Sequence, residues 1–269
     1  MPVTARQPRS APREMILIEH LPFETDAGIG ERARIGLIVL GSDFTIEHEW
    51  RAIFAALPGV ALYESRLYND PIITPDSLRA MDPLIAPAAS LILPGNPLDA
   101  IAFGCTSASM AIGEEGVFAR IREGGQEAPA TTPVTAAFAA FTALGAQRIA
   151  VLTPYRAEVN QIVADYITAR GFDVPVFGSF NEGNDRIVAA ITPASILAGI
   201  RRILTAAEVD AVFVSCTSVR LAEAAAAIEA EVGIPVTSSN HAMAWHALRL
   251  AGIQDSLPQF GKLFTLPIA

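Results

Sequence analysis

The chain has 269 residues, of which 51% are hydrophobic and 17% charged, and its formal net charge at pH 7 is -9. A chain of this length can bury a large core, as one large domain or as two lobes. The acidic balance argues against a nucleic-acid partner, which needs a basic surface. The apolar runs are too short to cross a membrane, and no apolar signal core follows residues 1–13, so we expect a cytoplasmic protein with a disordered N-terminal tail.

Short apolar runs alternate with helical patterns in the first half of the chain. Continuous apolar runs are typical of strands buried on both faces of a parallel sheet, and apolar spacing of three to four residues indicates helices. The predicted strands cover 35–40, 60–66, 100–103 and 128–132. The predicted helices cover 46–57, 75–89, 109–123 and 135–144.

The second half repeats this alternation. Its predicted strands cover 149–152, 174–178, 211–214 and 235–237, and its predicted helices cover 158–170, 193–207, 219–232 and 240–250. Ile35 to Cys105 spans 70 positions and Ile149 to Cys216 spans 67, which indicates an internal duplication. The predicted fold is therefore α/β, with two pseudo-symmetric lobes, each a parallel sheet with flanking helices.

The duplication also predicts domain boundaries. We expect residues 1–33 to be an N-terminal tail and lead-in, 34–130 together with 238–269 to form the first lobe, and 131–237 to form the second. Ligands bind at the carboxyl ends of strands in such sheets, so a cleft between the lobes is the expected site.

The chain has two cysteines, and each lies in the same local pattern. Cys105 and Cys216 end predicted strands, and each precedes Thr-Ser and a predicted helix. A helix N-terminus favours a thiolate, which nucleophilic and proton-transfer chemistry both require. A lone intracellular cysteine is more often a small buried hydrophobic residue, but the repeated pattern favours a functional pair.

Two thiols that face each other across a cleft have two obvious uses. One thiolate can remove an α-proton while the other thiol protonates the opposite face, as in a cofactor-independent racemase. Alternatively, one thiolate adds to an activated double bond, and rotation and elimination complete a cis–trans isomerisation. Hydroxyl groups next to the cysteines are candidates for binding the substrate carboxylate; they belong to Thr106, Ser107, Thr217 and Ser218.

The paired motifs 104–107 and 215–218, with the stretches 151–155 and 238–245, resemble the aspartate/glutamate racemase superfamily. They are similar to the branch that contains maleate cis–trans isomerase, arylmalonate decarboxylase and the ectoine-utilisation proteins, and closest to the last of these. The resemblance covers about residues 34–252. It implies no cofactor, no metal, a small carboxylic-acid substrate and catalysis by both cysteines. The sequence leaves open whether the protein is a homo-oligomer.

The resemblance also assigns roles to single residues. It implies that Cys105 is the nucleophile, that Cys216 is the proton donor and that Tyr155 binds a substrate carboxylate. Asn184 is a looser match to a further substrate-binding asparagine. Asp43 stands where maleate isomerases have an asparagine; it either caps the next helix or faces the cleft, where it would favour an amino-acid-type substrate over a dicarboxylate.

Two further functions stay open from the sequence. One is decarboxylation of a malonate-type acid by Cys216, although the decarboxylase lacks one of the two cysteines that this chain keeps. The other is a non-catalytic binding protein, since duplicated α/β lobes also serve as ligand clamps. A metal site is not expected, because none of the four histidines pairs with another at i, i+4.

Overall fold

The computed structural model describes residues 15–70, 72 and 74–268, so the predicted disordered tail at 1–13 lies outside the described residues. The first sheet has four parallel strands in the order β2-β1-β3-β4. Its strands are β1 (Ala33–Leu40), β2 (Val60–Leu67), β3 (Ala100–Gly104) and β4 (Ala130–Thr131).

The second sheet repeats the architecture of the first. Its four parallel strands have the order β6-β5-β7-β8, which corresponds position by position to the first sheet. They are β5 (Arg148–Thr153), β6 (Asp173–Ser179), β7 (Ala211–Val214) and β8 (Val236–Ser238). Two parallel four-stranded sheets with the same strand order confirm the predicted fold class and its pseudo-symmetry.

Helices connect the strands. They are α1 (Ile46–Phe54), α2 (Pro75–Arg79), α3 (Asp82–Ser90), α4 (Thr106–Ile112), α5 (Glu114–Glu123), α6 (Pro133–Leu144), α7 (Ala157–Ala169), α8 (Asp185–Ala190), α9 (Pro193–Leu204), α10 (Ala225–Val232) and α11 (Ser239–Leu250). The hydroxyls of Thr132, Thr192 and Ser238 cap α6, α9 and α11 by accepting a backbone N–H bond. None of the helices in the described ranges is both long enough and apolar enough to cross a bilayer.

Three predicted helices differ from those observed. The predicted helix 75–89 is two helices, α2 and α3. The predicted helix 109–123 starts earlier, at Thr106, and breaks at Gly113, whose φ of 88° is left-handed. The predicted helix 219–232 is wrong in its first part: a short 3-10 helix, Ala222–Ala224, precedes α10, and turns follow Cys216 directly. Helix α8 was not predicted.

Helix α11 lies in the middle of the molecule. It packs against α6, α1 and β3, and its residues 239–249 are all buried. Met243 and Trp245 belong to the core cluster that also contains residues of β1 and α1. Because the central strands β1, β3, β5 and β7 are all parallel to their neighbours, the loops that follow them supply the walls of a single pocket.

Candidate active site

The pocket at the carboxyl ends of the central strands is lined by residues from both sheets' loops. Eight of the nine predicted site residues line it: Asp43, Cys105, Thr106, Ser107, Tyr155, Cys216, Thr217 and Ser218. The structure therefore brings the two cysteines to one cleft, as the duplicated motif predicts.

Cys105 is the N-cap residue of α4. Its backbone is extended (φ -144°, ψ 114°), and its sulfur accepts a 3.4 Å hydrogen bond from the backbone N–H of Ala108. The Ser107 hydroxyl lies 3.8 Å from the same sulfur. The neighbouring Thr106 hydroxyl donates to Ser239 on α11 at 2.9 Å, which fixes the start of α4 against that helix. The thiol therefore has a defined position at the end of β3.

Cys216 lies in a different local structure. Its sulfur accepts a 3.4 Å hydrogen bond from the backbone N–H of Ser218, in a turn rather than a helix. The Thr217 carbonyl accepts from the Asn240 amide at 2.6 Å, and the Ser218 carbonyl accepts from the Thr45 hydroxyl at 2.8 Å. The two cysteine loops are thus equivalent in topology but not in detail, and only Cys105 has a helix dipole directed at it.

The prediction that the thiolates are favoured is wrong, because both sulfurs are buried. Burial raises the pKa of Cys105 to about 11 and that of Cys216 to about 12, and the nearby carboxylates of Asp185 and Asp43 add to both rises. Hydrogen bonds to each sulfur oppose the shift without cancelling it. Desolvation is the largest effect on the pKa of both thiols, because each cysteine is only 4% exposed.

Tyr155 follows β5 and lies beside Cys216. Its backbone is held at both ends, since its N–H donates to Thr153 and its carbonyl accepts from Asn160 and Ser179. Burial, together with the neighbouring Cys216 sulfur, raises the pKa of the Tyr155 hydroxyl well above its ordinary value. The hydroxyl therefore stays protonated at neutral pH and is available as a hydrogen-bond donor.

Asp43 both caps helix α1 and faces the pocket, the two alternatives that the sequence left open. Its Oδ1 accepts from the backbone N–H of Thr45 at 2.7 Å and of Ile46 at 2.9 Å, and so caps α1. The carboxyl group also lines the pocket and is 4% exposed. Burial raises its pKa to about 6, and the charge of Asp185 adds to the rise, whereas these hydrogen bonds and the Thr217 side chain oppose it.

Asn184 is the predicted site residue that the structure does not bring to the pocket. It is exposed, and its side-chain oxygen accepts from the backbone N–H of Arg186 at 3.0 Å, which caps α8. The next residue, Asp185, lines the pocket instead. The register of the loop before α8 decides which neighbour faces inward, and the sequence does not give that register.

Several residues that lie at the pocket were not predicted from the sequence. Ser42, Asn69, Asp70 and Asp185 all line it. Ser42 and Asp185 are neighbours in sequence of the predicted site residues Asp43 and Asn184, and this position could have identified them. Asn69 and Asp70 follow β2, so their position at a strand end could also have identified them.

Among the residues that the structure describes, no group of three or more histidine, cysteine, aspartate or glutamate side chains is arranged to hold a metal ion. Two buried thiols, protonated hydroxyl donors and carboxylates are the chemical groups that the pocket offers. They suit proton transfer at a carbon atom or addition of sulfur to carbon.

Residues 80–264 match the family model described as arylmalonate decarboxylase. Maleate isomerase from Nocardia farcinica is 30% identical over 242 residues, which cover 86% of this chain and 94% of that protein. The maleate isomerase Iso from Pseudomonas putida S16 superposes with a TM-score of 0.79 at 26% identity, over 87% of this chain and 98% of that one. A cysteine-to-serine variant of the Nocardia farcinica maleate cis-trans isomerase, with a covalently bound succinylcysteine intermediate, superposes with a TM-score of 0.78 at 27% identity, over 87% of this chain and 98% of that one.

Proposed function

The chain belongs to the arylmalonate decarboxylase family, and we propose that it is a cofactor-independent isomerase or racemase that uses Cys105 and Cys216 on a small carboxylic acid. One observation carries the proposal: the two cysteines follow equivalent strands, β3 and β7, and line the same pocket. The similarity to maleate isomerases over 86% of the chain supports the same reaction class.

The reaction has two possible courses with this pair of thiols. In racemisation, the thiolate of one cysteine takes the α-proton, and the thiol of the other delivers its proton to the opposite face. In cis–trans isomerisation, the thiolate of Cys105 forms a C–S bond to one alkene carbon, and the thiol of Cys216 gives its proton to the other carbon. Rotation about the new single bond, return of that proton to Cys216 and cleavage of the C–S bond then release the isomer.

The remaining pocket groups suit the binding of a carboxylate. Tyr155 keeps its proton and can donate, and Ser107 and Thr217 add hydroxyl groups to the pocket lining. Backbone N–H groups at the start of α4 add further donors. Donors of this kind stabilise the enediolate charge that develops when a proton leaves the α-carbon.

Decarboxylation of a malonate-type acid by Cys216 is the second candidate, because the matching family model carries that name. In that reaction Cys216 would protonate the carbanion that remains after loss of carbon dioxide. The presence of Cys105 in the same pocket favours the two-cysteine reactions over this one.

The finer parts of the proposal rest on the sequence. A place in ectoine catabolism follows from the resemblance to the ectoine-utilisation proteins. A cytoplasmic location agrees with two free cysteines, since reducing compartments keep thiols reduced. We also propose that the first lobe comprises 34–130 with 238–269 and the second 131–237.

Solvent-deuterium incorporation tests the function directly. The protein is incubated in deuterium oxide with a panel of amino acids, dicarboxylic acids and malonates, and the products are examined by mass spectrometry and chiral chromatography. A racemase incorporates deuterium at the α-carbon and loses optical purity, a cis–trans isomerase interconverts maleate-type and fumarate-type acids, and a decarboxylase releases carbon dioxide. The absence of all three reactions across the panel would contradict the proposal.

A further inference from the structure

The charged side chains of the pocket wall are all acidic. Asp43, Asp70 and Asp185 line it, and no lysine, arginine or histidine is found among the described lining residues. A site that binds a dianion is not expected to have only acidic side chains in its wall, because like charges repel strongly in a desolvated pocket. The wall has the electrostatic character that suits a cation.

Asp43 has an unused hydrogen-bonding oxygen. Its Oδ1 is occupied by the helix cap, whereas its buried Oδ2 has no hydrogen-bond partner among the described residues. A buried charged oxygen without a partner is costly, and such atoms are rare in folded proteins. The residue lies 96% buried on the pocket wall, so the natural partner of Oδ2 is a ligand in the pocket.

Asp185 brings a second carboxylate to the same wall from the other lobe. Its Oδ2 accepts from the Ser42 hydroxyl at 3.1 Å and its Oδ1 lies 3.5 Å from the Ser218 hydroxyl. These two hydroxyls flank Asp43 and Cys216 in sequence and hold Asp185 over the cleft. Each carboxylate oxygen keeps a lone pair that can accept from a ligand.

Among the residues that the structure describes, no cationic side chain lines the pocket. Arg66 contacts the backbone of Asp43: its guanidinium lies 3.3 Å from the Asp43 carbonyl oxygen and forms an ion pair with Glu47 at 2.7 Å. Arg66 is not part of the pocket lining. The charge of Asp43 and Asp185 therefore faces the cleft without a paired cation there.

We propose that Asp43 and Asp185 form an ammonium-binding subsite, and that the substrate is a zwitterionic amino acid rather than a dicarboxylate without an amino group. The proposal rests on the function proposed above and narrows its substrate class. The ammonium group would donate to Asp43 Oδ2 and to Asp185, and the substrate carboxylate would lie against Tyr155 and the hydroxyls next to the cysteines.

The electrostatics of the thiols support this assignment. Both cysteines have raised pKa values, and Asp43 and Asp185 contribute to the rise. An ammonium group between the two carboxylates would cancel that contribution and bring the thiol pKa values down. A second substrate carboxylate in its place would have the opposite effect.

Binding to matched ligand pairs tests the subsite. The probes are D- and L-amino acids of several side-chain sizes, each paired with the acid that lacks only the amino group, such as aspartate with succinate and alanine with propionate. Calorimetry at pH 7.5 uses the Cys105→Ser/Cys216→Ser double variant, in which turnover cannot complicate the measurement. We expect the best amino acid to bind at least about tenfold more tightly than its des-amino partner.

Variants that remove one negative charge provide a second test of the subsite. Asp43→Asn keeps the Oδ1 cap of α1, and Asp185→Asn keeps an acceptor for Ser42. Each variant should reduce the binding preference for the amino acid by about tenfold, and the double variant should abolish it. Asp76→Asn is the matched control, because Asp76 is exposed and lies outside the pocket lining. That variant should bind all ligands as the parent does.

Three results would overturn the subsite: no amino acid of the panel binds, des-amino acids bind as tightly as their partners, or the Asp43 and Asp185 variants leave the preference unchanged while remaining folded by circular dichroism. These outcomes are separable from failure of the proposed function. An ammonium preference in a protein whose cysteines are dispensable would overturn the function alone. Cysteine-dependent turnover of dicarboxylates, unaffected by Asp43→Asn, would overturn the subsite alone.

Discussion

Asn240 holds the Cys216 loop from the buried helix α11: its side-chain amide donates a 2.6 Å hydrogen bond to the backbone carbonyl of Thr217. The same amide donates to the Glu49 carboxylate at 2.9 Å, and Glu49 accepts in turn from the backbone N–H groups of Leu221 and Ala222 at 2.5 and 2.6 Å. One buried side-chain pair therefore fixes both ends of the loop that carries Cys216.

The first prediction concerns this pair. Asn240→Ala leaves the Thr217 carbonyl and the Glu49 carboxylate each short of a donor, and we expect the free energy of unfolding to fall by about 1–3 kcal/mol. The exchange activity at Cys216 should fall as well, because the loop loses its anchor. Urea unfolding and deuterium exchange measure the two effects. Asn96→Ala, at an exposed loop, is the control and should change neither; an Asn240→Ala protein of parental stability and activity would contradict the anchoring role.

The second prediction separates the reaction courses. In racemisation, Cys105→Ser and Cys216→Ser should each abolish turnover, and each should retain exchange from one enantiomer only, since one thiol still faces one side of the carbon. In covalent isomerisation, Cys216→Ser should accumulate a substrate adduct on Cys105, seen as a mass increase of the intact protein, and Cys105→Ser should not. In decarboxylation only Cys216 matters. A fully active Cys105→Ser protein would contradict the two-cysteine mechanism.

Thiol reactivity provides the third prediction. Cys105, with a pKa of about 11, should react with iodoacetamide in the ligand-free protein about 100-fold more slowly at pH 7.5 than in the guanidinium-unfolded chain, because the thiolate is scarce. The rate should keep rising with pH beyond 9, where the rate of the unfolded chain levels off. Peptide mass spectrometry resolves the two cysteines. A folded-state rate that reaches its plateau below pH 8 would refute the raised pKa.

The fourth prediction is a pH dependence of stability. Burial raises the pKa of Glu49 to about 7, while hydrogen bonds from Asn240, Ala222 and Leu221 oppose the rise and the charge of Asp43 adds to it. Because the folded state holds this proton more tightly than the unfolded chain, stability is highest below the ordinary carboxyl pKa and falls as pH rises through 7. The difference between the Glu49 pKa in the folded and in the unfolded state corresponds to about 3 kcal/mol in the free energy of unfolding.

Denaturant unfolding between pH 4 and 8 measures this slope. Glu49→Gln should flatten it, and Glu115→Gln, an exposed residue of α5, should leave it as in the parent. Asp43, whose pKa is raised to about 6, contributes a smaller slope of the same sign that persists in Glu49→Gln. Identical slopes in the parent and in Glu49→Gln would show that Glu49 titrates normally.

The fifth prediction concerns the glycine that precedes Cys105. A Cβ on Gly104 would lie 2.8 Å from Ile46 Cδ1 and 3.1 Å from the backbone carbonyl of Ile38, and the carbonyl cannot move aside. We expect Gly104→Ala to cost about 1–3 kcal/mol of stability and to displace Cys105. Gly116→Ala, inside α5, meets only the Cγ2 methyl of Ile112, at 3.1 Å, and should be neutral or stabilising. Thermal unfolding of the two variants and of the parent protein measures these changes in stability.

Much of the fold followed from local patterns in the chain. The eight strands were all predicted, because a strand buried on both faces leaves a continuous apolar run such as 35–40 or 149–152. The repeated motif around Cys105 and Cys216 identified the duplication, and strand ends in parallel sheets then located the site. Domain boundaries drawn from the same pattern stay a prediction.

Tertiary structure decided the properties that depend on burial and on contacts distant in sequence. The first part of the helix expected at 219–232 is replaced by turns and a 3-10 helix, and Asn240 and Glu49, distant in sequence, hydrogen-bond to the backbone of that loop. The pKa values of both thiols are raised where the sequence predicts lowered ones, because burial desolvates both sulfurs. Asp185, not Asn184, faces the cleft, and Asp43 both caps α1 and keeps Oδ2 free. Local sequence encodes strand and helix preferences, but solvent exclusion and loop register are set only when the two lobes pack together.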